Sequence, residues 1–270
     1  MRLGTRGSAL ALAQARLAAA AIGEDCEIVV VQTRGDRDRA AVDKSKWVAE
    51  LERALLEDEI DVAVHSAKDV PAALADGTVL AGCLPREDAR DVLVGAPLTA
   101  AARIGTASLR RTAQLRATRP DVEIVAVRGN VDTRLGKLAT GEIDALVLAA
   151  AGLHRLGRDE AATPLDTVPA AGQGIVVLQA REGATLVRDD DAWQRLLAER
   201  ACVAALGADC HSAVGAHAVR ADGGLTLRAW AGAVDGSAWV ADELRGEDPE
   251  TLGREVAARM LAAGAAELLA

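Results

Sequence analysis

Lys68 and Asp69 stand side by side in the string His65-Ser66-Ala67-Lys68-Asp69-Val70-Pro71, directly after the apolar run Ile60–His65. A cation and a carboxylate at the end of a buried strand can bind an anion and handle a proton. The carboxyl ends of strands are where open α/β sheets take ligands. An ion pair in a surface loop is the plainer explanation of the same two residues. A second string, Gly105-Thr106-Ala107-Ser108-Leu109-Arg110-Arg111, reads as a strand end, a turn of small residues and a helix start. Exposed N–H groups and the helix dipole favour an anion there, and Arg110 and Arg111 add bidentate donors for carboxylate or phosphate. An ordinary capped helix with two solvated arginines remains the alternative. The third string, Arg128-Gly129-Asn130-Val131-Asp132-Thr133-Arg134, repeats that layout, and Arg6 with Ser8, and Arg155, extend the set. Neither G-x-x-x-x-G-K-[ST] nor a G-x-G-x-x-G after a strand is present. The guanidinium-rich pattern therefore suits clustered carboxylates better than a nucleotide.

Cys210 sits in the loop Leu206–Gly215, where a thiol can be exposed and reactive. Its neighbours pull its pKa in opposite directions, Asp209 upward and a charged His211 downward. A small buried hydrophobe is the competing reading of any single cysteine, and it is kept for Cys26, Cys83 and Cys202. No C-x-x-C occurs and the four histidines form no ligand cluster with the cysteines, so no metal site is expected. His65 reads as a hydrogen bonder at the core edge rather than as a base, and His154 and His217 as structural or surface groups.

Alternating helix and strand patterns position these strings. Helices are expected over Ser8–Ile22, Trp47–Asp58, Leu109–Thr118 and Val131–Ala139, with Ser108 as an N-cap. Strands are expected over Glu27–Gln32, Ile60–His65, Thr78–Leu84, Ile104–Thr106, Glu123–Arg128, Ala145–Ala149 and Gly174–Gln179. Such alternation implies βαβ units in a mostly parallel sheet. Two series, divided near Pro85–Arg90, predict two α/β domains, with the strand after Pro169 and Gly172 returning to the first sheet. Two lobes crossed more than once would form a hinged cleft for a ligand. The remainder reads as a small α+β domain: a helix over Asp189–Leu206, antiparallel strands at Leu225–Ala233 and Ala238–Leu244, and a helix over Pro249–Leu269. No internal repeat is evident.

The chain has 270 residues, half of them apolar, so a sizeable core is within reach. Its net charge of −9 argues against generic nucleic-acid or anionic-membrane binding. The interval Arg103–Lys137 nevertheless carries eight cations against three acids, a local anion site inside an acidic protein. With no Phe, no Tyr and four Trp, base-stacking platforms are nearly absent. No apolar run reaches membrane-spanning length and the N-terminus has no signal-peptide pattern, so a cytoplasmic chain with free thiols is expected.

Taken together the strings resemble the porphobilinogen deaminase (hydroxymethylbilane synthase) family. Thr5–Gln14 (TRGSALALAQ), Thr33–Asp36 (TRGD), His65–Pro71 (HSAKDVP) and Arg86–Asp91 (REDARD) match in order. Gly105–Arg111 (GTASLRR), Val127–Leu135 (VRGNVDTRL), Ala149–Gly157 (AAAGLHRLG), Pro169–Gly174 (PAAGQG) and the loop ending in Cys210 follow. The resemblance implies two periplasmic-binding-protein-like α/β domains, 1–84 with 174–190 and 85–173, and an α+β domain over 191–270. It also implies an enzyme joining four porphobilinogen units head to tail, with loss of ammonia at each step, from a dipyrromethane cofactor in thioether linkage to Cys210. By residue, it implies Asp69 as the catalytic carboxylate, which assists ammonia loss, stabilises the cationic azafulvene and accepts the proton lost after coupling. It implies Lys68, Ser108, Arg110 and Arg111 at the cofactor, and Arg6, Ser8, Thr106, Arg128, Arg134 and Arg155 at the substrate. The expected partner is porphobilinogen, with no nucleic acid, membrane or metal, and the expected state is a monomer. A polyacid of this kind needs many guanidiniums, because unpaired buried charge is costly.

Two departures from the family pattern stand out. Ala208 and Asp209 precede the cysteine where small residues, often glycine, are usual. The stretch Val42-Asp43-Lys44-Ser45-Lys46-Trp47 replaces a glycine-rich lid ending in Phe, and Trp47 retains an aromatic there. A non-catalytic bilobal carboxylate-binding protein would explain the arginines without needing Asp69 or Cys210. A transferase using Cys210 as nucleophile would need a base paired with the thiol.

Overall fold

The structure, a computed structural model, describes residues 1–23, 25–31, 45–209 and 211–269, and the side chains of 48 onward within the second of its helices. The TRGD string, the altered stretch 42–47 with its Trp47 side chain, and Cys210 lie outside the described residues. The chain divides into two compact units, Met1–Glu87 with Gly174–Trp193, and Asp88–Gln173 with Gln194–Ala270. Among the described residues no helix is long and apolar enough to cross a membrane.

In the first unit, β1 (Arg2–Thr5) leads into α1 (Ala9–Ile22), followed by β2 (Glu27–Val30), α2 (Ser45–Leu56), β3 (Val62–Ser66) and β4 (Thr78–Cys83). Alanine-rich α1 has strong helix propensity. Its start is fixed by Ser8, whose Oγ accepts from the Ala11 N–H, and its end by Gly23 at φ +72. In the second unit come β5 (Asp91–Gly95), β6 (Arg103–Gly105), α3 (Leu109–Thr118), β7 (Glu123–Val125), α4 (Val131–Ala139), β8 (Ala145–Ala149), α5 (Ala150–Arg155) and β9 (Ala162–Pro164). Then β10 (Val176–Arg181) rejoins the first sheet.

The sheets run β2-β1-β3-β10-β4 and β7-β6-β8-β5-β9. They are mixed rather than mostly parallel. β1 is parallel to β2 and β3, while β10 is antiparallel to β3 and β4. Likewise β6 is parallel to β7 and β8, and β5 antiparallel to β8 and β9. The apolar pattern that marks a buried strand carries no information on its direction, and β10 and β5 enter their sheets without the crossover helix that a parallel partner requires.

Strand for strand the two sheets are the same frame, and the sequence carries the repeat that inspection of it misses. Arg2-Leu3-Gly4-Thr5 opens one copy and Arg103-Ile104-Gly105-Thr106 the other. Ser8 caps α1 as Ser108 caps α3, and Ala13-Gln14-x-Arg16 parallels Ala113-Gln114-x-Arg116. Glu59-Ile60-Asp61 before β3 parallels Glu142-Ile143-Asp144 before β8. The contacts repeat with the letters. A Cβ on Gly4 would lie 2.3 Å from Ile60 Cδ1, and one on Gly105 would lie 2.5 Å from Ile143 Cδ1, so in each copy an isoleucine tip packs directly over the glycine and would have to shift for any larger residue. The helix exit repeats as well, left-handed at Asp58 (φ +58) in one copy and at Gly141 (φ +73) in the other.

Arg2 donates from its backbone N–H to Asp61 Oδ2 at 2.6 Å and from Nη2 to Oδ1 at 2.7 Å; Arg103 does the same to Asp144 at 2.8 and 2.7 Å. These donors hold Asp61 and Asp144 each down to about 2, the side-chain hydrogen bond contributing most. A carboxylate held below its unfolded value, about 3.9 for aspartate, stabilises the fold fully above that value. The contribution is lost as pH falls toward the folded value. The urea midpoint is therefore expected to drop between pH 4 and pH 2, and to drop less steeply in an Asp61→Asn, Asp144→Asn double variant. An unchanged slope in the double variant removes these pairs from the acid response.

The remaining part of the second unit is α6 (Asp190–Ala205), whose first residues belong to the first unit, then β11 (Val214–Ala221), β12 (Gly224–Gly232), β13 (Trp239–Gly246), α7 (Pro249–Ala262) and α8 (Ala265–Leu269). The three strands form an antiparallel sheet in the order β11-β12-β13. The single last helix expected from the sequence is broken at Gly264 (φ +97). This sheet braces α3: Trp230 packs with Ala113, Leu109 and Ala117. In the β12–β13 turn, a Cβ on Gly236 would lie 2.6 Å from Ala117 N.

Candidate active site

Because β1, β2 and β3 are parallel neighbours, the segments after them emerge at one edge of the first sheet. Arg6 and Ser8 follow β1; Lys68 and Asp69 follow β3 in a single 3-10 turn, Ala67–Asp69. Arg6, Ser8, Gln14, His65, Ser66 and Asp69 line one recess of about 80 Å³. Gln14, nearly fully buried, donates from Nε2 to Ser66 Oγ at 2.7 Å, which ties α1 to the end of β3. The structure thus brings Arg6, Ser8 and Asp69 to one place, with Lys68 adjoining Asp69 in the chain.

Behind that recess lies a polar chain that sequence reasoning missed. His65 Nε2 is 3.0 Å from Gln179 Oε1 on β10, and Gln179 Nε2 donates to Glu52 Oε1 at 2.9 Å and to Thr78 Oγ1 at 2.8 Å. Burial lowers the His65 pKa to about 4, against smaller opposing contributions from Gln179, Glu52 and Asp69, so the ring is neutral at neutral pH. The partners are 114 residues apart in sequence, beyond the reach of any local pattern.

The second sheet presents its set in the same way, after parallel strands β6, β7 and β8. Thr106 and Ser108 lie between β6 and α3, and the Ser108 N–H donates to Thr106 Oγ1 at 3.2 Å. Arg128 lies between β7 and α4, Arg134 donates from Nε to Gly129 O at 2.8 Å, and Arg155 ends α5. In the frame, Ala151 and Gly152 occupy the places that Lys68 and Asp69 hold after β3.

Arg110 and Arg111 are 5% exposed and converge on Asp91, itself fully buried at the start of β5. Arg110 Nη1 donates to Asp91 Oδ2 at 2.6 Å and to Val168 O at 2.7 Å. Arg111 donates from Nη2 and Nε to Asp91 Oδ1 at 2.7 and 3.0 Å and from Nη1 to Val147 O. Gln173 Nε2 and Thr167 Oγ1 also donate to that carboxylate. Burial alone would push the Asp91 pKa up, but the two guanidiniums outweigh it and hold the group far below the usual carboxylate range. Two guanidiniums against one carboxylate leave a surplus positive charge at this end of α3. Asp91 was visible in the REDARD string, but nothing local signalled its role, because its partners follow 19 and 20 residues later.

Comparison with known proteins agrees with these features. Residues 1–189 match the family model "Porphobilinogen deaminase, dipyromethane cofactor binding domain", and residues 193–262 match "Porphobilinogen deaminase, C-terminal domain". The chain is 44% identical over 301 residues to a porphobilinogen deaminase of Deinococcus radiodurans, covering 99% of this chain and 97% of the relative. It is 43% identical to one of Rubrobacter xylanophilus, covering 99% and 95%. It is 41% identical to one of Thermus thermophilus, covering 99% and 97%.

Proposed function

The chain belongs to the porphobilinogen deaminase family, and from that premise we propose how its own residues carry the reaction. The reaction is the transfer that joins four porphobilinogen molecules head to tail into hydroxymethylbilane, with release of ammonia, in tetrapyrrole biosynthesis. The cofactor is dipyrromethane, which when bound supplies a primer to be extended. The surplus positive charge at α3, together with the hydroxyls of Thr106 and Ser108, is chemistry suited to such a polyacid.

The observation that carries the assignment of residues is the recess shared by Arg6, Ser8 and Asp69. Arg6 and Ser8 bind a substrate carboxylate there. Asp69, an anion on the 3-10 turn after β3, stabilises the cation left when ammonia departs and accepts the proton released on coupling. Lys68, Ser108, Arg110 and Arg111 hold the cofactor, with Asp91 neutralising one of the two guanidiniums; Thr106, Arg128, Arg134 and Arg155 hold substrate carboxylates. Cys210 carries the thioether. The division into 1–84 with 174–190, 85–173 and 191–270, each around one sheet, is part of the same reading. A cytoplasmic, monomeric chain without nucleic-acid or membrane partners completes it, and the three free cysteines Cys26, Cys83 and Cys202 suit a reducing compartment.

The test is intact-mass and peptide analysis of the chain purified with its substrate supply intact. Two linked pyrrole units on the peptide containing Cys210, absent in Cys210→Ser, are the expected result. An unmodified Cys210 in a chain that still makes hydroxymethylbilane overturns the assignment of that residue.

A further inference from the structure

The orientation of Gln179 fixes the tautomer of His65. Thr78 Oγ1 donates its proton to Ala75 O at 2.8 Å, so towards Gln179 it is an acceptor. Glu52 Oε1 accepts from the Ala75 N–H at 3.0 Å and, as a carboxylate oxygen, offers no proton. Both neighbours therefore demand the NH₂ end of the Gln179 amide, and its Oε1 faces the imidazole. The hydrogen on that bond must come from His65, which places the proton on Nε2 and leaves Nδ1 with a lone pair. Among the described residues none donates a hydrogen bond to Nδ1.

The duplicated frame supplies an internal comparison. His65 pairs with Val177 and lies one residue from the end of β3; the matching place in the second sheet is Leu148, buried in an apolar cluster. Gln179 is matched by Val94 in the same cluster. The frame itself is thus satisfied by two aliphatic side chains. The first copy spends a buried histidine, a glutamine, a threonine and a glutamate on keeping one neutral imidazole in one tautomer, beside the copy's Asp69. The recess it lines is otherwise rich in donors, from Arg6, Ser8, Gln14 and Ser66.

We propose that His65 is a further substrate-binding residue, whose Nδ1 accepts a hydrogen bond from an N–H of porphobilinogen held against Asp69. The inference rests on the assignment of this recess to substrate. A neutral acceptor suits the place: it orients an N–H without adding a second negative charge beside Asp69. No proton is transferred to the ring.

Two substitutions separate this role from a structural one. His65→Gln retains a donor to Gln179 and deletes the acceptor at Nδ1; His65→Asn retains an acceptor near Nδ1 and deletes the bond to Gln179. The expected result is a KM for porphobilinogen raised about tenfold in His65→Gln, the equivalent of one lost hydrogen bond, with His65→Asn raised less than His65→Gln but less stable to urea. The reverse order, His65→Gln near wild type and His65→Asn impaired, is what a purely structural histidine gives and overturns the proposal. Imidazole ¹⁵N spectra of the slow Asp69→Asn holoenzyme serve even where His65→Asn does not fold. Nδ1 is expected to resonate as an unprotonated nitrogen and to move when porphobilinogen is added; an unmoved signal at saturation overturns the proposal. Wild-type turnover in the same assays reports separately on the recess, since failure there with an intact cofactor would fault the assigned function and not the tautomer.

Discussion

Asp69→Asn is expected to leave a folded chain that carries its cofactor yet turns over porphobilinogen at least about 10²-fold more slowly. The carboxylate lies in a recess with the Arg6 guanidinium and the neutral His65 ring. Replacing it with an amide preserves shape and one acceptor oxygen but removes the anion opposite the cation that forms when ammonia leaves, and it removes the proton acceptor. Loss of one positioned proton-transfer group typically costs 10²–10⁴-fold, and loss of a fixed counter-charge in a partly dry site adds to that. Single-turnover rates on holoenzyme isolate the effect from cofactor assembly. A rate within threefold of wild type would remove Asp69 from the chemistry.

The second large effect is expected at Asp91, through stability rather than rate. Its carboxylate is fully buried and accepts from Arg110, Arg111, Gln173 and Thr167. Asp91→Ala would strand two nearly buried guanidiniums with no counter-charge. Breaking a buried pair from one side costs about 3–5 kcal/mol, a large share of the 5–15 kcal/mol that holds a typical domain together. The urea midpoint of the second unit should fall accordingly, and α3 should lose protection from hydrogen exchange before the first unit does. A loss below about 1 kcal/mol would mean that water reaches the arginines, contrary to their burial.

Much of the frame was legible because the chemistry of βα junctions is local. Ser108 before Leu109, Asn130 before Val131 and Gly129 at φ +113 are caps and turns that identify themselves in sequence. Helices α3 and α4 and strand β8 fall within the expected residues. What escaped depended on distance. β5 begins with a charged residue, Asp91, whose partners Arg110 and Arg111 lie far along the chain. β1 (Arg2–Thr5) and β9 (Ala162–Pro164) contain no run of β-branched residues. The repeat was hidden by one missing residue: Thr5-Arg6-Gly7-Ser8 in one copy is Thr106-Ala107-Ser108 in the other, which puts α1 and α3 out of step with the strands before them. The candidate acid and the arginines were visible as residue types at strand ends. The Gln179 amide that sets the His65 tautomer was not, since its three partners lie on β3, α2 and β4.

The twin frames also give the chain a reference within itself. Ala151 and Gly152 stand where Lys68 and Asp69 stand, behind the same glycine-under-isoleucine joint and the same serine-capped helix. Whatever scaffold alone contributes is present in both halves; what only one half can do must come from the few side chains in which they differ. Transplanting that short list from one half to the other is accordingly a direct route to measuring how much of an enzyme resides in its architecture and how much in its ornament.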